Sequence, residues 1–164
     1  MDYQAIIDKY YPDDDELRRL LLKHSRQVAA RCQKILKLHP ELPVDSQFVE
    51  EAAMLHDIGI RWCYAPSIFC YGSEPYIKHG PIGGRLLREM GYERHARVCE
   101  RHTGTGLPGF EPETLEEQLV CYADKFYSKS HPDRELTVVQ TAQSLEKFGK
   151  AGVLIFLGWA ERFE

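Results

Sequence analysis

The sequence predicts an all-α fold, a helical bundle of five or more core helices. Apolar residues recur at three- and four-residue spacing from end to end, and sustained strand-like alternation is missing. Each periodic stretch is bracketed by a capping side chain, a proline or a glycine. At 164 residues, 43% hydrophobic and 28% charged, the chain suits a single domain over residues 1–164 with one core. Its motif-bearing part spans about 14–129, and further helices cover about 137–163.

The elements follow in order. A short helix is expected from Asp2 to about Tyr10, broken by Pro12. Asp13 and Glu16 read as a capping box that opens a long helix through Leu38. Its stripe is Leu17, Leu21, Val28, Cys32 and Ile35, and Pro40 and Pro43 end it. Asp45 caps a helix over Ser46 to about Asp57, closed at Gly59. An aromatic-rich loop spans Ile60 to Lys78. A fourth helix is expected over Pro81 to Met90, stopping at Gly91, and a fifth from Glu93 to His102. The turn TGTGLPGFEP leads to Thr114, which caps a helix reaching about Lys129. After SHPDRE, a helix covers Thr137 to Phe148. A last amphipathic segment runs from Val153 to Phe163, past Gly149 and Gly152. The two long loops, Ile60–Lys78 and Thr103–Glu113, exceed ordinary connections and are candidate binding loops.

The balance of charge narrows the function. A net charge of -4 with mixed signs provides no basic footprint for a nucleic-acid duplex and no polybasic patch for a membrane. No apolar run approaches the length of a bilayer span. The acidic N-terminus is unlike a secretory leader, so a cytoplasmic protein is expected. The five cysteines are scattered without a CxxC pair, and read as buried small hydrophobes.

Chemistry is signalled by polar groups standing where the core should be. His24 lies on the stripe of Leu17, Leu21, Val28 and Cys32. His56 closes the row Val49, Ala52, Ala53. His79 stands a turn before Ile82 and Leu86, His102 extends the row of Val98 and Cys99, and Asp124 interrupts LVCYADKFY. Each costs several kcal/mol to bury without a partner, and a shared metal centre would satisfy all of them together. A mixed nitrogen and oxygen set without thiolate suits Fe, Mn, Zn or Co. His39, His95 and His131 read as surface residues. The glycines of TGTGLPG match no phosphate-binding fingerprint, and Gly83-Gly84 reads as close helix packing.

The segment AAMLHDIGI, with His24 before it and His79, His102 and Asp124 after it, resembles the HDIG signature of the HD-domain metal-dependent phosphohydrolases. The likeness covers about Leu21 to Ser128. It implies a helical bundle around the metal, with His24, His56, Asp57 and Asp124 as first-ion ligands. His79 and His102 would hold a second ion, with Asp57 bridging. The cofactor implied is a divalent transition metal, two ions rather than one, drawn from Fe, Mn, Co, Zn or Ni, with Mg also admitted. The activity implied is hydrolysis of a phosphate ester or anhydride of a small phosphorylated molecule, a nucleotide by preference, by metal-activated hydroxide. Asp57, Lys125 and Arg61 are the candidate catalytic residues. Lys78, Arg85, Trp62 and Tyr64 are candidates for binding substrate. Two other readings share this ligand set: a mixed-valence di-iron oxygenase, and a nucleotide-binding module without turnover. A homodimer is left open.

Overall fold

The computed structural model describes residues 1–104 and 108–164. Among them are eight α-helices, α1 (Tyr3–Tyr10), α2 (Glu16–Leu38), α3 (Ser46–Leu55), α4 (His79–Glu89), α5 (Glu93–Arg101), α6 (Leu115–Asp124), α7 (Val138–Leu145) and α8 (Lys150–Phe163). The mostly helical architecture agrees with the all-α expectation. Two short antiparallel hairpins interrupt it, β1 (Tyr64–Ala65) with β2 (Cys70–Tyr71), and β3 (Tyr127–Ser128) with β4 (His131–Glu135). Three of these strands hold two residues each, too few for period-two alternation to register in the sequence.

Helix starts follow capping chemistry. Asp2, Asp45, Thr114 and Thr137 each accept from backbone N–H groups of the first turn, which satisfies donors that have no intrahelical partner. For α2 the cap is Asp15, which accepts from Arg18 N–H at 2.8 Å, not Asp13. The fourth helix starts at His79, two residues earlier than the Pro81 expected. Pro81 falls in its first turn, where a missing N–H costs nothing. The sixth helix ends at Asp124, not Lys129, because the chain turns there into β3. The turn expected over residues 103–112 falls partly on 105–107, outside the described residues.

α2 packs along α3 and α6, and α4 along α5. Val28, Cys32, Val49, Leu55, Leu119 and Val120 fill the space between them. The last helix closes one side. Phe156 stacks on Tyr122 at 5.1 Å and Phe163 packs tilted against it at 5.3 Å, while Leu154 and Ile155 face outward. All five cysteines are buried and free. No helix among the described residues is long and apolar enough to cross a membrane.

Two glycines hold α4 against the HDIG turn. A Cβ on Gly59 would lie 2.1 Å from the His79 carbonyl oxygen, and one on Gly83 would lie 2.5 Å from Cys99 Sγ and 3.1 Å from Gly59 N. Backbone therefore crosses backbone where any side chain would intervene, which delivers His79 to the side of Asp57.

Candidate metal centre

Helix ends build the site. His56 caps the C-terminus of α3 and Asp57 follows it. His102 caps the C-terminus of α5, Asp124 is the last residue of α6, and His79 is the first of α4. Only His24 comes from mid-helix, in α2. Three helices thus present their carbonyl ends, the negative poles of their dipoles, to one point. That arrangement favours a cation.

All six side chains are buried apart from the partly buried Asp124. They form two sets whose ligand atoms lie within 4.8 Å of one another: His24, His56, Asp57 and Asp124, and Asp57, His79 and His102. Asp57 joins them through different oxygens. Its Oδ2 lies 3.3 Å from Nε2 of both His24 and His56. Its Oδ1 lies 3.2 Å from Nε2 of both His79 and His102. Asp124 Oδ1 is 2.8 Å from His24 Nε2 and 3.3 Å from His56 Nε2.

Three of the four rings are aimed by the backbone. His56, His79 and His102 donate from Nδ1 to the carbonyls of Ala53, Tyr76 and Cys99, at 2.6, 2.5 and 2.6 Å. A carbonyl only accepts, so each Nδ1 carries its hydrogen and Nε2 faces inward, where the ring in its neutral form presents a lone pair. The Nε2 atoms of His79 and His102 stand 2.9 Å apart. Asp57 Oδ1 and His24 Nδ1 are buried without a hydrogen-bond partner among the described residues. Converging lone pairs and an orphaned carboxylate oxygen fit a divalent cation in both sets.

Electrostatics tie the groups together. Burial works against ionising Asp57, but Lys129 and His56 overcome it and hold its carboxyl well below the usual range. Burial likewise opposes ionisation of Asp124, which hydrogen bonds from His24 and His56 reverse. Burial would lower His56, yet Asp57 and Asp124 push it up to about 10. His102 falls to about 4, mainly through burial. His24 is lowered by burial and by Lys129.

Lys129 is the residue that sequence reasoning missed. Its ammonium donates to Asp57 Oδ2 at 2.7 Å, and its side chain is only 12% exposed. Burial would discharge it, but Asp57, Tyr76 and Asp124 raise its pKa and keep it cationic. It reaches inward from the turn between β3 and β4. Tyr76, whose ring stacks on His79 at 4.4 Å, stands beside it.

The other candidates divide. Lys125 lines a recess on the centre with His79, His102 and Asp124, and donates to Thr103 O at 3.2 Å. Arg61 is turned away: it donates to the Tyr10 carbonyl and lies over the rings of Tyr11 and Trp62. Trp62 packs edge-on against Tyr10 at 5.7 Å, and Tyr64 is 63% exposed on β1. Lys78 pairs with Glu74 at 3.9 Å, and Arg85 is exposed on α4. None of these five lines either recess on the centre. The surface reading of His95 is also corrected: it is partly buried against Phe48 and bonds Glu51 at 3.2 Å.

Among known proteins, the chain is similar to two named tRNA (cytidine(56)-2'-O)-methyltransferase. The one from Picrophilus torridus is 27% identical, with 85% of this chain and 42% of that protein covered. The one from Thermoplasma volcanium is 27% identical, with 79% and 37% covered. An uncharacterized protein of Methanocaldococcus jannaschii is 34% identical over 49% of each chain. The chain thus spans less than half the length of these relatives. No solved structure matches it. The HD domain model matches residues 21–128, a span that opens three residues before His24 and closes four after Asp124. With most of its length under that model and both aspartates and all four inward histidines inside the match, the chain belongs to the HD-domain family.

Proposed function

We propose that the protein is a metal-dependent phosphohydrolase that cleaves a phosphate ester or anhydride of a small molecule, a nucleotide by preference, at a two-ion centre. The observation that carries this reading is the division of Asp57, one oxygen toward each histidine set. His24, His56, Asp57 and Asp124 would hold one ion, and His79 and His102, with Asp57, the other. A divalent ion bound here supplies Lewis acidity to a phosphoryl oxygen and makes a water nucleophilic near neutral pH.

The chain's own groups do the rest. Asp57 spans the two sets, so its carboxylate fixes their spacing. The backbone carbonyls of Ala53, Tyr76 and Cys99 lock three rings with Nε2 inward. Lys129 and Lys125 bring two ammonium groups to the opening over Asp124, where they would meet the negative charge of a phosphoryl group. Burial of the six ligands limits water and strengthens every charge–charge term among them.

The methyltransferase name belongs to relatives more than twice the length matched. Their named substrate, RNA, agrees with nucleotide chemistry for this chain, whereas a cluster of imidazoles and carboxylates suits hydrolysis better than holding a methyl donor. The test is metal analysis of the purified protein, followed by a panel of phosphomonoesters, phosphodiesters and nucleotides with Mn, Fe, Co and Mg. His56→Ala should lose metal and activity together. Oxygen consumption with a di-iron EPR signal, and no phosphate release from any substrate, would overturn the reading in favour of an oxygenase.

A further inference from the structure

Two recesses open on the centre, and they differ in character. Both include Tyr76, Asp124 and Lys129, so Tyr76 and Lys129 stand between them. One, about 470 Å³, is lined by Ser67, Ser128 and Ser130 together with Ala65, Ile68 and Tyr127. The other, about 320 Å³, is walled by Ile77, Leu145 and Phe148, with Lys125, His79 and His102 at its floor. The second lies within the size range of small-molecule sites and has their usual make-up, apolar walls with a few charged groups at one end.

The origin of those walls is informative. Leu145, Phe148 and Lys129 all lie beyond residue 128, where the HD match ends. The metal set lies within the family match, while Leu145 and Phe148 of this wall, facing Ile77, come from the chain's C-terminal part. Phe148 is 64% exposed and Ile77 43%, so two apolar side chains stand in water at the mouth of a charged site. Gly149, at a φ of 106°, turns the chain immediately after Phe148 in a conformation that side-chain-bearing residues avoid. The aromatic ring is thereby placed at the rim between α7 and α8.

We propose that the Ile77–Leu145–Phe148 recess seats the base of a nucleoside monophosphate whose phosphoryl group is received by Lys125 and Lys129. This rests on the phosphohydrolase reading for its chemistry, but binding is separable from turnover. A flat base offers a π-face to Phe148 and buries apolar area against Ile77 and Leu145. The two ammonium groups then meet the phosphate at the end of the same recess, so one ligand satisfies both the apolar rim and the cationic floor. The serine-lined recess mixes hydroxyls with Ala65, Ile68 and Tyr127, and it lacks both Lys125 and an exposed aromatic ring like that of Phe148.

The experiment is calorimetry on the metal-loaded protein with AMP and ribose 5-phosphate as probes, with phosphate release measured in parallel. AMP should bind wild type on the order of tenfold more tightly than ribose 5-phosphate, the increment of one stacked base. Phe148→Ala, at an exposed position that carries no core packing, should narrow that ratio by several-fold. Phe148→Trp should restore it. Lys125→Met, which removes an ammonium bonded to Thr103 O and not to a metal ligand, should weaken both probes, and inorganic phosphate as well, by tenfold or more, with metal content measured on the same sample. Equal affinity for AMP and ribose 5-phosphate in wild type, or a ratio unmoved by Phe148→Ala, would overturn the proposal even if both compounds are hydrolysed. Conversely, a base preference that depends on Phe148 without phosphate release from any compound would sustain the recess and overturn hydrolysis.

Discussion

Replacing Gly59 by alanine adds one methyl group, and the structure says what it meets. The new Cβ would lie 2.1 Å from the His79 carbonyl oxygen and 2.7 Å from Gly83 N. Ordinary contact begins at 3.4 Å, so the start of α4 must retreat by more than an ångström. Neither neighbour is a flexible side-chain tip; both are backbone of a buried helix. Overpacking a dense core costs about 1–3 kcal/mol and more where backbone must move, so about 3 kcal/mol is expected. For a chain of this size that corresponds to a fall in Tm of roughly 6–12 °C. The retreat also carries His79 Nε2 away from Asp57 Oδ1, now 3.2 Å off, while leaving His24, His56 and Asp124 on other helices. Metal content should therefore drop through the His79–His102 set first. Thermal unfolding with chelator present and elemental analysis of the loaded protein test the two halves separately. A Gly59→Ala variant with wild-type Tm and full metal content would refute the argument that this glycine is demanded by the crossing of α4 over the HDIG turn.

Other perturbations separate the two histidine sets and their supports. Asp57→Ala should abolish metal binding at both sets, since each uses one of its oxygens, whereas His79→Ala should remove metal only in part; equal losses by elemental analysis would count against two sets. In chelator, His56 at about 10 against an ordinary 6.5 contributes stability that is complete below 6.5 and fades as pH rises toward 10. His102, lowered to about 4, leaves the unfolded chain binding more protons between 4 and 6.5, so stability climbs with pH over that window. Melting of the chelated protein should therefore peak near neutrality and decline on the alkaline side, and added metal, which requires a neutral His56 ring, should flatten that decline; a chelated Tm that rises steadily from pH 7 to 10 would contradict the assignment. Glu117→Ala removes a carboxylate only 2% exposed that pairs with Arg97 and Arg101. Both guanidinium groups keep Glu113 as a partner, so the loss of their ion pairs with Glu117 should cost roughly 1–3 kcal/mol in denaturant unfolding, less than an orphaned buried charge would.

The residues of the buried cluster were legible in the sequence for a physical reason. His24, His56, His79, His102 and Asp124 sit on rows whose other members are apolar, and a polar group on such a row must be compensated. Their local geometry was less legible. Helix ends at His56, His102 and Asp124, and the start at His79, are decided by how α4 meets the HDIG turn and by where the chain enters β3. Those are tertiary facts that periodicity does not contain. Arg61 shows the same limit. Adjacency to HDIG placed it near the site in sequence, but the 3-10 turn at Ile60–Trp62 directs it to the Tyr10 carbonyl.

Lys129 marks a deeper asymmetry. It stands in YSKSHPDRE, between serines, where a lysine is ordinarily solvated, and no row of apolar neighbours flags it. Only the β3–β4 turn, with its two-residue first strand, swings its ammonium onto Asp57. Phe148, the proposed base contact, likewise reads in the sequence as an ordinary exposed aromatic. Metal ligands must be buried and so violate the surface rules that a sequence displays. Groups that receive a substrate must be reachable from water and so obey them. A centre of this kind therefore announces its metal chemistry in the sequence and conceals its choice of substrate in residues that resemble any other surface.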